Sequence, residues 1–284
     1  ETRMYPFTYH KPDSLAAAAG LAAKAENAKL LAGGMTLLPT MKQRLASPST
    51  LIDLNKVEGM SGIEQKGRNI VIGAWTRHAE VATSAVVKAA IPALAALAEG
   101  IGDPAVRNKG TIGGSVANDD PAADYPSACL ALGATINTTK RSIKADDFFV
   151  GLFETALEPG ELITSISFPK PDKAAYMKFP NPASRYAMVG VFVAKTGNNV
   201  RVAVTGAGPC VFRVKAMEDA LAKDFSSAAI KDIKIKADGL NSDIHGSAEY
   251  RAPLVNVMAT VVMVVSIPLA WLAQRLSDGG EAQG

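Results

Sequence analysis

The sequence predicts an α+β protein in which a large N-terminal region precedes a smaller C-terminal domain. Segments with helical and strand-like patterns alternate through the first half of the chain, and two apolar strands joined by a short polar turn follow in its third quarter. The length of 284 residues, with 48% hydrophobic and 20% charged residues, allows a substantial buried core. We place the first domain at 1–172, with subdomains of about 1–55 and 56–172, and the second at 173–250.

The first subdomain is predicted to be a small α/β unit. Asp13 or Ser14 caps a helix over the alanine-rich run Leu15–Ala28. The glycine pair Gly33-Gly34 ends a strand that follows this helix. The segments after the helix are a strand at Lys29–Ala32, an apolar segment at Leu37–Leu45 and a strand at Thr50–Leu54.

The later elements are predicted from apolar spacing and turn residues. In the second subdomain they are a strand at Asn69–Gly73, helices at His78–Val86 and Ile91–Gly100, a helical segment at Pro126–Leu132 and a strand at Glu161–Phe168. Lys170-Pro171-Asp172 predicts a linker to the C-terminal domain. That domain is expected to contain strands at Tyr186–Ala194 and Asn199–Gly206 and helices at Met217–Ala222 and Ser227–Ile230.

The tail over 251–284 has two interpretations. No charged residue occurs from Ala252 to Gln274, and a stretch of this length could cross a bilayer. Polar residues and Pro268 interrupt it, which also suits a C-terminal helix that is buried or faces a partner. The sequence leaves a membrane anchor and such a helix as alternatives.

Composition excludes several classes of function. The formal net charge is only +3 and the basic residues form no run, so nucleic-acid binding is not expected. Two cysteines, Cys129 and Cys210, are too few for a four-cysteine iron–sulfur cluster or a cysteine-rich zinc site. The three histidines, His10, His78 and His245, have no metal-ligand spacing, so no metal site is predicted in this chain.

Catalytic side chains are also not apparent. The sequence contains no G-x-S-x-G motif, and the adjacent acids Asp119-Asp120 and Asp146-Asp147 are more typical of turns than of an acid–base pair. Residues 1–10 lack the apolar core of a secretory signal, and distant cysteines suit a reducing compartment. We therefore expect a cytoplasmic protein, with membrane association through the tail as an open alternative.

Two glycine-rich segments carry the functional signal. The first runs from Leu30 to Leu37 around Gly33-Gly34, and the second is Thr111–Ser115 around Gly113-Gly114. Paired glycines let backbone N–H groups approach an anion closely, so two facing segments could hold a pyrophosphate. Each alone is typical of a tight turn, and neither matches a Rossmann or Walker A motif. Asn118 and Asp124 follow the second segment, and Asp124 could accept hydrogen bonds from a ribose.

As an ordered pair, these segments resemble the medium subunit of the carbon monoxide dehydrogenase and xanthine dehydrogenase family of molybdenum hydroxylases. The first is similar to that family's AGGHSL-P loop and the second to its TIGGN loop, and the similarity runs from about residue 3 to 258. Met35 stands where the family usually has His, and Ser115 where it has Asn or Asp. Further similar segments are 103–110, Asp120–Pro126, Ser184–Ala187 and Ala248–Arg251.

The resemblance implies an FAD-binding domain of the vanillyl-alcohol-oxidase (PCMH) type, built from two subdomains, plus a smaller C-terminal α+β domain. It implies that both glycine segments hold the FAD diphosphate and that Tyr186 lies beside the isoalloxazine ring. The candidate cofactor-binding residues are Leu31, Ala32, Gly33, Gly34, Met35, Thr36, Leu37, Ile101, Thr111, Ile112, Gly113, Gly114, Ser115, Asn118, Asp124, Ile163, Lys178 and Tyr186.

The resemblance also implies an oxidoreductase whose chemistry is divided among subunits. This chain would bind FAD, a small partner would carry 2Fe–2S clusters, and a large partner would carry molybdopterin, usually as a dimer of heterotrimers. Electrons would pass from the partner's molybdenum through the clusters to the flavin and then to an external acceptor. The alternatives are a free-standing flavin oxidase of the same fold and a membrane-tethered assembly subunit without flavin.

Overall fold

A small parallel sheet and two helices form the first unit of the computed structural model, which describes residues 4–266. The strands follow the order β1-β3-β2, and β3 is paired on both sides in parallel. Because parallel strands end at the same edge, the chain leaves β2 beside the end of β3. The elements are β1 (Thr8–His10), α1 (Leu15–Lys24), β2 (Ala28–Leu31), α2 (Leu37–Lys42) and β3 (Thr50–Asp53).

The predicted helix Leu15–Ala28 is too long at its C-terminal end. Ser14 caps α1 as predicted, with its hydroxyl accepting from the Ala17 N–H at 3.3 Å. The helix ends at Lys24, because Ala25 is extended with φ −87° and ψ 120°, and Asn27 then turns the chain with φ 55°. Ala28 then pairs with Thr50 as the first residue of β2. Alanine favours helix so strongly that the composition gives no signal for this end.

An antiparallel five-stranded sheet with helices forms the second unit. The strand order is β4-β5-β10-β6-β7, so the strand predicted at Glu161–Phe168 is the central one. Strands β8 and β9 form a separate hairpin. The elements are β4 (Ile63–Lys66), β5 (Asn69–Gly73), α3 (His78–Thr83), α4 (Ala85–Ala90), α5 (Pro92–Glu99), α6 (Pro104–Arg107), α7 (Ile112–Asn118), α8 (Tyr125–Leu132), β6 (Thr135–Thr138), β7 (Ser142–Lys144), α9 (Ala145–Phe148), β8 (Phe149–Gly151), β9 (Glu154–Thr155) and β10 (Ile163–Pro169).

The predicted helix His78–Val86 is wrong in its extent. Ser84 has a non-helical backbone with φ −58° and ψ 122° and interrupts the helical run, and its hydroxyl caps α4 by accepting from the Val87 N–H at 3.3 Å. The apolar pattern continues through the break because both short helices bury residues in one core, which includes Val81 and Val87. The serine in the middle of the apolar pattern is therefore the sequence signal for this break, and the prediction overlooked it.

A four-stranded antiparallel sheet and two longer helices form the C-terminal unit. The predicted hairpin is confirmed: β12 and β13 pair from Gly190–Thr205 to Thr196–Asn199, around a turn with Gly197 at φ 57°. Residues 227–229 form a short 3₁₀ turn rather than the predicted α-helix. The elements, in the strand order β11-β12-β13-β14, are β11 (Lys173–Pro180), β12 (Ala187–Thr196), β13 (Asn199–Thr205), β14 (Phe212–Arg213), α10 (Lys215–Lys223) and α11 (Ala248–Val261).

The C-terminal sheet is covered on both faces. Val189, Val191 and Val193 of β12 pack with α10 and α11, whereas Phe192 and Ala194 lie in the core of the second unit. This alternation follows from the two-residue period of a strand. Asp146 of α9 adds ion pairs to Arg201 at 2.6 Å and Arg213 at 3.1 Å. The C-terminal unit is therefore fixed against the second unit by apolar packing and charge.

Helix α11 contains most of the apolar tail that lies within the described residues. Val255, Ala259 and Val262 are fully buried against the C-terminal sheet. Within residues 4–266, no helix has the length and hydropathy needed to cross a membrane. The described half is thus a buried C-terminal helix, which continues into a π-helical turn at Val262–Ser266. The rest of the predicted stretch, from 267 to 274, lies outside the described residues.

Candidate functional site

The two glycine segments lie in direct contact. A Cβ placed on Gly33 would collide with the carbonyl oxygen of Lys109 and lie 2.8 Å from Cα of Gly110. A Cβ on Gly114 would lie 3.8 Å from Cβ of Ala32. The N-terminal unit and the second unit therefore meet through these two segments, and only glycine fits at position 33.

The first segment presents backbone donors. It is the loop between β2 and α2, and Gly34 turns it with φ 72°. Among the described residues, no backbone carbonyl accepts from the N–H groups of Gly33, Gly34, Met35 or Thr36. Consecutive N–H groups of this kind are suited to binding an anion. Leu31, Ala32, Met35 and Leu37 are partly buried around them.

The second segment is the start of helix α7, not the turn that the glycine pair suggested. Thr111 caps the helix, accepting from the Gly114 N–H at 3.2 Å, and the Gly113 N–H donates to the Ala74 carbonyl at 2.8 Å. A Cβ on Gly113 would lie 2.6 Å from Cβ of Ala74. The first glycine therefore allows close packing on Ala74, and exposed Gly114 leaves an open surface opposite Ala32.

His78 supports the approach to the second segment, and sequence reasoning missed this role. The backbone N–H of His78 donates to the Gly110 carbonyl at 3.1 Å, and a Cβ on Gly110 would lie 2.6 Å from the imidazole Nε2. Burial, with a smaller effect from Arg107, lowers the pKa of His78 to about 4. The imidazole is therefore neutral at pH 7 and packs beneath Gly110, next to the ring of Tyr125 at 5.4 Å.

Three predicted residues that are distant in sequence come together near the start of α8. Lys178 Nζ lies 3.0 Å from Asp124 Oδ1 and donates to the Gly100 carbonyl at 2.8 Å, beside Ile101. The Tyr176 hydroxyl, which sequence reasoning missed, donates to the same Asp124 oxygen at 2.5 Å. Burial raises the pKa of Asp124, and Lys178 and Tyr176 lower it only in part.

Tyr186 of the C-terminal unit lies near the first glycine segment. Its side chain is 48% exposed, and the side chain of Thr36 is close enough to act on its pKa, which it lowers. Burial raises its pKa, with further contributions from the nearby charges of Asp120 and Asp124. Tyr186 is thus a partly exposed aromatic ring beside the loop with free backbone donors.

Three further candidates have no side-chain polar contact within the described residues that defines their role. Ser115 and Asn118 are partly buried on α7, with Asn118 as its last residue. Ile163 is 5% exposed at the start of β10 and belongs to the core of the second unit. In the part of the chain that the structure describes, no three His, Cys, Asp or Glu side chains cluster so as to hold a metal ion.

Comparison with known proteins identifies the family. Residues 5–171 match the model of the FAD binding domain in molybdopterin dehydrogenase, which is more than half of the chain. The chain belongs to this family. It is therefore an oxidoreductase subunit with an FAD-binding domain, as the two glycine segments and their order predicted.

Curated relatives extend the likeness of this FAD-binding chain to nearly full length. It is 37% identical over 261 residues to the nicotine 6-hydroxylase medium subunit of Paenarthrobacter nicotinovorans, covering 87% of this chain and 92% of the relative. It is 36% identical over 269 residues to the carbon monoxide dehydrogenase medium chain of Hydrogenophaga pseudoflava, covering 89% and 94%. The family prediction is confirmed.

A solved structure confirms the predicted fold class. The chain superimposes on carbon monoxide dehydrogenase from Hydrogenophaga pseudoflava with a TM-score of 0.83 and 35% identity, covering 91% of this chain and 96% of the other. The fold is thus the two-subdomain FAD-binding type followed by a C-terminal α+β unit.

Proposed function

We propose that this chain is the electron-transfer subunit of a multi-subunit molybdenum hydroxylase and that FAD binds where its two glycine segments meet. The observation that supports this site best is the contact of Gly33 with Lys109 and Gly110. It positions the free N–H groups of one segment beside the open surface of Gly114. Such an arrangement of backbone donors suits a dinucleotide diphosphate.

The contacts of some of these groups indicate the part that each would have in this site. The N–H groups of residues 33–36 hold the diphosphate, and Gly114 gives it room. Asp124 and Lys178 compensate each other's charge, so the pair can border an apolar ring without an unpaired buried ion. The full set proposed to bind FAD is Leu31, Ala32, Gly33, Gly34, Met35, Thr36, Leu37, Ile101, Thr111, Ile112, Gly113, Gly114, Ser115, Asn118, Asp124, Ile163, Lys178 and Tyr186.

The proposed partners are an iron–sulfur small subunit and a molybdopterin large subunit, arranged as a dimer of heterotrimers. This rests on relatives that are named as medium chains and on coverage of more than nine-tenths of their length. When bound, FAD accepts electrons singly and releases them in pairs. The protein's part is to hold, orient and shield it between the partner's clusters and an external acceptor, which needs no general base from this chain.

Flavin content of the purified complex tests the site. The wild-type chain, isolated with its partners through a tag on this subunit, should yield FAD at about one per chain on extraction. Gly33→Ala should lose most of it, because the new Cβ collides with the Lys109 backbone. Gly20→Ala is the matched control, since a Cβ there meets nothing within 4 Å and lies within α1.

The outcomes separate the parts of the proposal. Iron and molybdenum in the wild-type complex would support the partner assignment. A tagged chain that purifies without any partner subunit would contradict it. Equal FAD content in the Gly33→Ala and Gly20→Ala complexes would contradict the proposed site.

A further inference from the structure

A cluster of polar side chains lies at the end of β3, beside the first glycine segment. Strands β2 and β3 run parallel, and Leu31 pairs with Asp53, so both strands end at the same level. The Leu54 N–H donates to the Leu31 carbonyl at 3.0 Å and closes this edge. The residues that follow the two strands, Ala32 after one and Asn55 after the other, therefore lie close to each other.

Asp53 is a buried carboxylate whose two oxygens both have partners. It is 5% exposed, and its Oδ1 accepts from the backbone N–H of Asn55 at 2.9 Å and from Asn55 Nδ2 at 2.5 Å. Its Oδ2 accepts from the Tyr9 hydroxyl and lies 3.6 Å from Lys11 Nζ. Burial acts to raise the pKa of Asp53, but these hydrogen bonds and the Lys11 charge hold it below its usual value. Asp53 is therefore ionised at pH 7.

Asn55 has a second donor that reaches the glycine segment. A side-chain amide carries two N–H groups, and one of them is bonded to Asp53. Asn55 Nδ2 also lies 3.5 Å from the Ala32 carbonyl oxygen, at the upper limit of a hydrogen bond. Among the described residues, no backbone N–H donates to that carbonyl. Because Asp53 bonds both the backbone and the side chain of Asn55, the amide is oriented in advance, which lowers the entropy cost of the contact.

The contact with Ala32 determines where the Gly33 N–H points. The Ala32 carbonyl and the Gly33 N–H belong to one planar trans peptide and point in opposite directions. A donor that holds the carbonyl on one side therefore aims the N–H on the other side, and it also polarises that N–H. The Gly33 N–H is the first of the four backbone donors that are proposed to hold the FAD diphosphate.

We propose that Asn55, oriented by Asp53, is a positioning residue that aims the Gly33 N–H at the FAD diphosphate. This inference rests on the proposed function. Asn55 acts through the Ala32–Gly33 peptide, and Asp53 acts through Asn55. Loss of the Asn55 amide is therefore expected to weaken binding of the diphosphate and to leave the contacts of the isoalloxazine ring unchanged.

Titration of the flavin-free complex measures this effect. The complex is purified with its partners, freed of flavin by dialysis against potassium bromide, and titrated with FAD and, separately, with ADP. ADP carries a diphosphate on the same adenosine but has no isoalloxazine ring. Asn55→Ala should raise the Kd of both ligands about tenfold, as expected for one hydrogen bond to a charged group. The absorption spectrum of the rebound flavin should match that of the wild type.

Asn27→Gly is the matched control. Asn27 Nδ2 donates to the Ser47 carbonyl at 2.9 Å in the same unit, and glycine tolerates the left-handed backbone at this position. The control thus removes an asparagine amide that is bonded to a carbonyl outside the glycine segment. It should bind FAD and ADP as the wild type does.

A double-mutant cycle tests the part of Asp53. Asp53→Asn keeps the shape of the side chain and removes its charge, so it should raise the Kd of FAD when Asn55 is present. In the Asn55→Ala background it should cause no further increase, because Asp53 acts through Asn55. Additive effects of the two substitutions would contradict this part of the inference.

Two results would overturn the role of Asn55. One is equal FAD affinity in the Asn55→Ala and Asn27→Gly complexes. The other is a loss of FAD affinity with unchanged ADP affinity, which would place the effect at the ring. A wild-type complex that takes up no FAD would contradict the proposed function itself, and with it this inference.

Discussion

Lys178 Nζ lies 3.0 Å from Asp124 Oδ1, and the two side chains are 10% and 4% exposed. Through this pair, strand β11 is joined to the start of α8, and the further bond from Lys178 to the Gly100 carbonyl adds the end of α5. Both side chains are largely buried, so removing either one leaves the other without its counter-charge. The pair therefore holds three elements that surround the candidate site.

Removing one partner of this ion pair should destabilise the fold asymmetrically. Asp124→Asn leaves the Lys178 ammonium buried without a counter-ion, which we expect to cost roughly 3 kcal/mol. Lys178→Met should cost less, because a raised pKa lets Asp124 take up a proton and remain bonded to Tyr176. Urea unfolding of the full-length variants at pH 7 measures the difference.

The pH dependence of Lys178→Met provides a control on that explanation. A carboxyl whose folded pKa is raised binds more protons in the folded state, so stability falls as pH rises above the unfolded pKa of about 4. The variant should therefore be closest to wild type in acid. A deficit that does not change with pH would show that Asp124 is not the group responsible.

The adjacent glycines of α7 should respond differently to the same substitution. Gly113→Ala forces a Cβ to within 2.6 Å of Ala74 and should destabilise the fold by roughly 1–3 kcal/mol. Gly114→Ala meets only the Thr111 hydroxyl at 2.9 Å and Ala32 at 3.8 Å, and gains helix propensity. We expect it to keep its melting temperature and to lose bound FAD, as measured by thermal unfolding and flavin extraction. Loss of stability in both variants would show that Gly114 has a packing role.

The sequence predicted correctly those elements that a cap residue, an apolar strand pattern or a glycine turn marks locally. Ser14 marks the start of α1, the strand Asn69–Gly73 has the predicted bounds, and the turn at Gly197 joins β12 to β13. Strand β11 was missed because its lysines and aromatic residues alternate weakly and it directly follows the predicted linker. Strand β1 was also not predicted, because three residues are too few to show the alternation of a strand.

The candidate site depended on contacts that no local pattern contains. Tyr176 reaches Asp124 across 52 positions, and His78 lies beneath Gly110 through the packing of α3. The two glycine segments were recognisable only as an ordered pair. The sequence also could not show that the N–H of Gly113 is already bonded to Ala74, because that donor is engaged by a residue 39 positions earlier.

Acid should destabilise the loop that precedes β10, because it protonates Glu161. Burial acts to raise the pKa of Glu161, but Arg141, the Glu158 N–H and Thr138 hold it at about 2. A depressed folded pKa adds stability above the unfolded value of about 4.3, and this is lost as pH falls toward 2. Because solvent screens the Arg141 side chain, which is 44% exposed, the full pKa shift overstates the effect. We expect the free energy of unfolding to fall by roughly 2 kcal/mol.

Glu161→Gln isolates this contribution. The variant should be less stable than wild type at pH 6, and the difference should shrink by pH 3, as followed by urea unfolding of the full chain. A difference that stays constant over this range would mean that the titration of Glu161 does not control the loss.

Two valines of α11 distinguish a helix packed on its own sheet from one surrounded by lipid. Val255 is fully buried and Val257 is 48% exposed on the other face. Val255→Asp buries an unpaired carboxylate and should cost roughly 3 kcal/mol or more, whereas Val257→Asp should change stability by less than about 0.5 kcal/mol. In a bilayer, an aspartate would be costly on either face. Thermal unfolding of both variants measures the contrast, and equal disruption by the two would contradict the packing of α11 described above.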